Sequence, residues 1–487
     1  MRKHLLLVLF IFSLFLILLV FFRVIDADEL AFLTAARETL KGKVCYRDFF
    51  LPQMPFSFLF LIPFANWGIT GFFLGRILNL GLGIIFGLLF FKYLFLRIEG
   101  SDLGEPKEEM IRSGFIFITL FYFANGLILA WVPVNKPHIL VNLFNLLSLF
   151  FLYQEKYLLS GLFLGLAGET RAIFLLFLPF YLYYLYRFRN KRGMGRLLLG
   201  FLLSQSIGLY YFLSAPQNFF LDNIYYHLVR GEIKDGILSR LFSDEILFGR
   251  FFTLVKVFVL PQNFLLFILT VLAFYHYRKN PQLYHFEFFG LILGITTFTL
   301  YYLIVAPAHF QYFIQVLPFL LIFNLPFFLS RIPKKCVKFP FLLVTLFYLF
   351  GSAFTIYNYA SGLHPFYQRY RIGLIKKLVD EIERNSIPEE EILVFYPNLP
   401  VLAKISNLSD YETCPDFSFA ERFPTERRRI LHLSSREEIR EKIRQRIPRL
   451  VVGILGEEEK RFYQLEAVGY KKIKEIFDYE IYKREEE

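Results

Sequence analysis

Charge is scarce in this chain, and cysteine is scarcer. Charged residues make up 20% of the 487 positions, with 3 cysteines and 2 tryptophans, and no Gly-rich phosphate loop occurs. The missing loop leaves no phosphate cradle of the nucleotide-binding kind. Three thiols exclude a disulfide framework; one bridge between Cys45 and Cys414 stays open, because spacing alone never fixes pairing. What the chain does have is apolar surface: 56% hydrophobic residues, 64 Phe, 30 Tyr and a mean hydropathy of +0.46. No soluble domain needs that much apolar material for its core, so a single water-soluble enzyme is excluded.

The apolar residues fall into runs of membrane-spanning length, for which roughly 20 residues are needed. The first, Leu5 to Phe22, follows the basic start Met1-Arg2-Lys3-His4 and ends in Phe21-Phe22-Arg23 without the small residues of a cleavage site. It reads as an uncleaved first helix. Further spans are expected at 71–91, 114–132, 139–153, 157–169, 172–186, 197–213, 255–275, 286–305, 310–329 and 339–357. The expectation is an α-helical polytopic membrane protein of about 11 transmembrane helices within residues 1–357. Outer loop helices are expected at 26–67 and 214–250, followed by a small C-terminal α/β extracytoplasmic domain at 358–487. Phe56 to Trp67 is placed on the outer face as a re-entrant or interfacial segment; a full crossing there would invert everything after it.

Charge placement supports this orientation. The expected inner segments hold eighteen Lys and Arg against six acids, an excess equal to the whole net charge of +12. In a soluble protein that charge would suggest nucleic acid. Here it is a topology signal, so no nucleic-acid partner is expected. The protein is expected in the cytoplasmic membrane, with the N-terminus cytoplasmic and the tail outside.

The first outer loop concentrates acid at a membrane exit. Asp26, Asp28 and Glu29 precede Leu30, Leu33, Ala36 and Leu40, whose spacing predicts an amphipathic helix over 29–41 on the membrane surface, with Asp28 as N-cap and Gly42 at its end. Two readings stand side by side. The carboxylates either cap the helix and complement its dipole, or serve as a general base or as ligands of a divalent metal such as Mg or Mn, with Asp28 and Glu29 as the metal candidates.

Asp28-Glu29 after the first span, a helix ending in Lys41-Gly42, Tyr46-Arg47-Asp48-Phe49, Pro52 and Pro55, and Gly75-Arg76-Ile77-Leu78-Asn79 together resemble the type C glycosyltransferases. The resemblance is to the protein O-mannosyltransferase-like group, glycosyltransferase family 39, and to the lipid A aminoarabinose transferases. The motifs cover residues 20–80; helix number and the outer tail extend the likeness more loosely. It implies a membrane glycosyltransferase that takes a sugar from a polyprenyl-phosphate lipid and passes it to a lipid, glycan or protein acceptor on the outer face. Such a reaction needs a base for the acceptor hydroxyl and cations for the departing phosphate. The resemblance makes Asp28 the base, Glu29 its neighbour in acceptor or metal binding, and Asp26 the alternate.

Candidate phosphate binders are cations at outer span ends: Arg76, Lys136 and His138 in Asn135-Lys136-Pro137-His138, Arg171 in Gly168-Glu169-Thr170-Arg171, and His309 before Tyr312. The last two resemble basic elements of the family. Each has a plainer alternative, snorkelling to lipid phosphates or a satisfied structural role. Tyr46, Arg47, Asp48 and Tyr312 are candidate substrate contacts by the same resemblance. The rival readings are a surface-polysaccharide polymerase or ligase, which would carry a large late outer loop, and a secondary transporter, which would carry mid-span charges.

After residue 358 the composition turns polar. Ile392 to Phe395 and Arg449 to Gly453 predict strands, Ser434 to Arg446 a helix capped by Ser434 or Ser435, and Tyr470 to Tyr482 a closing hairpin. This tail is expected to shield or select the acceptor, or only to stabilise the membrane part. Asn407-Leu408-Ser409 matches a glycosylation sequon.

Overall fold

The computed structural model describes residues 2–99, 107–188, 190–229, 244–304, 309–331, 338–360, 362–387, 390–395, 398–413 and 417–485. Cys336 and Cys414 lie outside them. Cys45 is a buried free thiol.

Helix α1 (Arg2–Phe22) turns by 78° into α2 (Ala27–Leu40). Three carbonyls near that corner, those of Val20, Arg23 and Val24, accept from Arg76, which satisfies acceptors that the end of a helix leaves open. Helix α2 begins two residues earlier than its apolar spacing predicts. The N-cap is Asp26, not Asp28: its Oδ1 accepts from the Asp28 N–H at 3.1 Å while Glu29 reaches back to the Asp26 N–H at 2.9 Å, a complete capping box. The helix ends as expected, with Gly42 at φ 88° and the Lys43 N–H returning to the Glu38 carbonyl.

A second correction concerns where α2 lies. It is not a membrane-surface helix, because Leu30, Leu33 and Ala36 pack with Ile375, Leu378, Ile392 and Val452 of the tail in one apolar core. Arg37 donates to the Ile405 carbonyl at 2.7 Å and to that of Lys404. Both faces of α2 are thus covered, which a helix-period reading of one face does not reveal. Residues 56–67 form only a single α-turn and a 3-10 turn, too short to cross a membrane.

The bundle continues through α3 (Gly68–Glu99), α4 (Lys107–Ile118), α5 (Gly126–Trp131), α6 (His138–Tyr153), α7 (Tyr157–Thr170), α8 (Leu178–Arg187), α9 (Lys191–Ser204) and α10 (Ser206–Ser214). Helices α7 and α9 meet backbone to backbone: a Cβ on Gly161 would fall 1.9 Å from the Leu197 carbonyl oxygen, and one on Gly200 2.0 Å from that of Leu158. With Gly165 and Ser204 four residues on, both helices present the small-residue stripe that lets membrane helices approach. The short α11 (Pro216–Phe220) follows. Helix α12 (Asp244–Val259) then meets α13 (Pro261–Tyr277) at 94°, so the expected span 255–275 is broken. Pro261, at the first position of α13, cannot continue α12. The last members are α14 (His285–Thr299), α15 (Leu317–Arg331) and α16 (Lys338–Thr355).

Among the described residues two helices are long and apolar enough to cross alone, and up to five if bent pairs count as one. Others cross-pack as shorter or broken pieces, with Phe10, Leu213 and Leu202 exposed on the outside of the bundle. Such apolar exposure suits lipid and not water.

Beyond the bundle, α17 (Ile372–Asn385) precedes a five-stranded sheet of β1 (Glu391–Val394), β2 (Ser406–Asn407), β3 (Leu450–Gly453), β4 (Tyr470–Ile476) and β5 (Tyr479–Arg484), in the order β2-β1-β3-β5-β4. β1 runs parallel to β2 and β3, and β4-β5 is the expected hairpin. Helices α18 (Thr425–Ile430) and α19 (Arg436–Arg444) lie between β2 and β3, and Ser435 caps α19 in a box with Glu438. Asn407 of the sequon is buried, donating to the Tyr411 carbonyl at 2.7 Å.

Candidate functional site

The α1–α2 corner, the turn between α5 and α6, and the N-terminal part of α3 meet at Glu29. Both Glu29 oxygens are taken by Arg76, at 2.9 and 2.7 Å, and Oε1 also accepts from the Asn135 N–H at 2.8 Å. Neither side chain reaches solvent. Burial raises the Glu29 carboxyl, but the Arg76 pair outweighs it and holds the group below the usual carboxylate range. Arg76 spends its other N–H groups on the three carbonyls of the α1–α2 corner, so all five donors of its guanidinium are used within the chain. That leaves no donor on Arg76 for a phosphate, and it leaves Glu29 neither open to an acceptor nor available to a metal.

Asp26 and Asp28 share a different cation. Lys136 sets its ammonium 2.8 Å from Asp26 Oδ1 and 2.8 Å from Asp28 Oδ2, and 4.9 Å from the Trp131 ring centroid. Lys136 is 3% exposed, whereas the Asp28 side chain is 64% exposed. Burial lowers the lysine, but its two carboxylate partners more than reverse that and keep it charged. Of the three acids, Asp28 is the most exposed; Asp26 is half-buried and Glu29 is enclosed. Among the described residues no group of three His, Cys, Asp or Glu is placed to hold a metal ion, and the Lys136 ammonium sits where a cation between Asp26 and Asp28 would go. The residues do not fit a divalent metal here.

On the inner side of Lys136 the positive charge continues. His138, at the start of α6, lies in the field of Arg171, Lys136, His309 and Arg23. Its Nδ1 is 3.0 Å from the Gln315 amide nitrogen, and its ring meets Trp131 and Tyr312 edge-on at 5.8 and 6.4 Å. Arg171 leaves the end of α7 in an extended conformation and stands 5.8 Å over Tyr312, which also contacts His309 at 5.4 Å and stacks on Tyr301 at 4.6 Å. Arg23 is fully buried between Trp131 and Tyr359, at 4.8 and 4.7 Å, with its Nε on the Ala130 carbonyl. Four nitrogens here, Arg23 Nη2, Trp131 Nε1, His138 Nε2 and Arg171 Nε, find no partner among the described residues. Buried cations with unspent nitrogens are costly unless an anion completes them.

The structure therefore gathers Lys136, His138, Arg171, His309 and Tyr312 and adds Arg23, Trp131 and Gln315, which the sequence reading omitted. Arg23 was legible only as the end of a span, since an Arg there also marks an interface. Tyr46, Arg47 and Asp48 are placed elsewhere. Tyr46 is buried at φ 70°, its hydroxyl donating to the Gln53 carbonyl at 2.6 Å. Arg47 and Asp48 pair with each other at 2.9 and 2.8 Å, while His432 of the tail bonds the Arg47 carbonyl at 2.6 Å. These three hold the loop against the tail.

No protein-family model matches the sequence, and no curated protein matches it. Solved structures do. ArnT from Cupriavidus metallidurans bound to undecaprenyl phosphate superposes with a TM-score of 0.66 at 11% identity over 98% of this chain and 97% of that one. The apo state of the same protein gives 0.61 at 12% identity, over 99% and 98%. At such identity the likeness concerns the fold, and it spans bundle and tail together: this chain shares the fold that ArnT displays.

Proposed function

We propose that the protein is an integral membrane glycosyltransferase that moves a sugar from a polyprenyl-phosphate lipid to an acceptor hydroxyl on the outer face of the cytoplasmic membrane. The observation that carries this reading is the gathering of Arg23, Lys136 and Arg171 with the imidazoles of His138 and His309, in which Arg23 Nη2, Arg171 Nε and His138 Nε2 find no partner among the described residues, set beside one exposed carboxylate. A phosphate monoanion bearing a sugar supplies the missing counter-charge. ArnT, a lipid A aminoarabinose transferase of the same fold, was crystallised with undecaprenyl phosphate, which supports that donor class.

In this reading Asp28 accepts the proton of the acceptor hydroxyl as that oxygen attacks the anomeric carbon. The bond from that carbon to the phosphate oxygen breaks, and the electron pair leaves with the polyprenyl phosphate. Arg23, Arg171, His138 and His309 hold the developing charge. Lys136 pairs with Asp28 and Asp26 and holds the base in place. Tyr312 and Trp131 border the sugar. Glu29 and Arg76 act at one remove, positioning the α1–α2 corner. The eleven-span count, the boundary between membrane domain and tail near 357, and an extracytoplasmic tail belong to the same proposal.

The test incubates purified protein with a panel of polyprenyl-phosphate sugars and measures release of polyprenyl phosphate, wild type against Asp28→Asn. Release with one donor, lost in the variant, is expected. No release with any lipid donor would overturn the reading; undiminished release by the variant would remove Asp28 as base.

A further inference from the structure

A groove outside the proposed reaction centre opens where the apolar helix α10 ends. Helix α10 exposes Tyr210, Phe212 and Leu213 at its end, as a lipid-facing helix does, and the chain passes from there through Pro216 into α11. Phe220 and Tyr225 form one wall of an open groove of about 660 Å³; Phe423, Pro424 and Arg427 of the tail form the other. The volume lies within the roughly 300–1,000 Å³ of ligand sites. Phe220 is 54% exposed and Ile430, just past Arg427, 60% exposed, so the patch is apolar and uncovered.

Its charge is one-sided. Of the three arginines of α18, Arg428 is neutralised by Glu438, at 2.9 Å to each oxygen. Arg427 and Arg429 are exposed and make no ion pair among the described residues, against the single Glu426 of the same helix. The groove is also rigidly built, because Asn218 of α11 donates to the Ile430 carbonyl at 2.8 Å and Phe423 meets Tyr225 at 6.5 Å, edge to face. An occupant must offer an apolar chain to Phe220, Tyr225 and Phe423 and an anion to Arg427, and it must be at hand where α10 leaves the membrane.

The geometry points to an anionic glycerophospholipid as that occupant, with an acyl chain along Phe220 and Tyr225 and its phosphate on Arg427. The bound lipid would tie α18 of the tail to the bilayer. The assignment depends on α10 running in the membrane and not on glycosyl transfer, so either can fail alone.

Full-length protein, delipidated in neutral detergent, is titrated with dioleoyl phosphatidylglycerol or dioleoyl phosphatidylcholine, and retained lipid is counted by native mass spectrometry. The wild type is expected to retain the anionic lipid preferentially. Arg427→Gln should weaken that retention about fivefold, the scale of one surface arginine toward anionic lipid, with unchanged thermal melting. Arg427→Lys should keep the preference, and Phe220→Ser should lower retention of both lipids. Equal retention of the two lipids by the wild type, an undiminished preference in Arg427→Gln, or displacement of phosphatidylglycerol by millimolar inorganic phosphate would overturn the assignment.

Discussion

Glu29 and Arg76 lie 47 residues apart and close on each other through two hydrogen bonds in a place that solvent does not reach. Removing one partner strands the other charge in a low-dielectric site, at a cost of about 3–5 kcal/mol. Glu29→Ala and Arg76→Ala should each lower thermal stability in detergent by that order. The double variant Glu29→Leu/Arg76→Met should recover part of the loss, because no charge is then left unpaired. Melting curves on the four proteins decide it; additive losses would show that the two residues are not a unit.

Asp28 should behave in the opposite way. With its side chain largely exposed, Asp28→Asn is expected to leave melting within about 0.5 kcal/mol of wild type while cutting turnover roughly 10²–10⁴-fold, the range for loss of a general base. Asp26→Ala, which removes a helix cap, should cost about 1 kcal/mol of stability. A variant set in which Asp26 and Asp28 trade these signatures would reassign the base.

The cation cluster can be read by fluorescence. The chain has two tryptophans, so Trp67→Phe leaves Trp131, which touches Lys136, Arg23 and His138, as the single reporter. Polyprenyl phosphate is expected to change its emission saturably, and Arg171→Gln to shift the titration to higher concentration and lower turnover by about 10²–10³. Emission that ignores the lipid phosphate would place the anion elsewhere.

A pH effect follows from His432, which joins Asp410 at 3.2 Å and the Arg47 carbonyl at 2.6 Å. Burial lowers its pKa, but Asp410 and the carbonyl outweigh burial and raise it above the usual histidine value. A raised folded pKa means the contribution is complete below about pH 6.5 and fades as pH climbs through the folded value. Wild-type protein should therefore melt lower at pH 9 than at pH 6, and His432→Gln should shrink that difference. An identical pH dependence in the variant would refute it.

Much of the candidate site could be read in the sequence because its parts are charges at helix ends, where few charges occur. The grouping of Lys136, His138, Arg171 and His309 follows from that scarcity. What escaped notice was pairing. Nothing in the spacing of Asp26, Asp28 and Glu29 says that the third turns inward to Arg76 while the second faces out, since one step along a helix changes direction by about 100°. The N-cap moved from Asp28 to Asp26 for a related reason: several adjacent acids satisfy the same capping rule. The break at Leu260 had a visible cause in Pro261, hidden by the apolar run around it. The shared core of α2 and the tail was invisible, because burial on a second face depends on sequence more than 300 positions away.

Asn218 has one further consequence. Its amide donates one N–H to the Tyr46 carbonyl at 2.7 Å and the other to Ile430 at 2.8 Å, so three distant stretches of chain hang on a single side chain. A tail taken from another protein of this fold would arrive without that carbonyl in register, and the loop of Tyr46 would lose its brace. Modular exchange of the tail, a tempting route to new acceptors, should therefore succeed only when residues 45–50 and 216–220 travel with it.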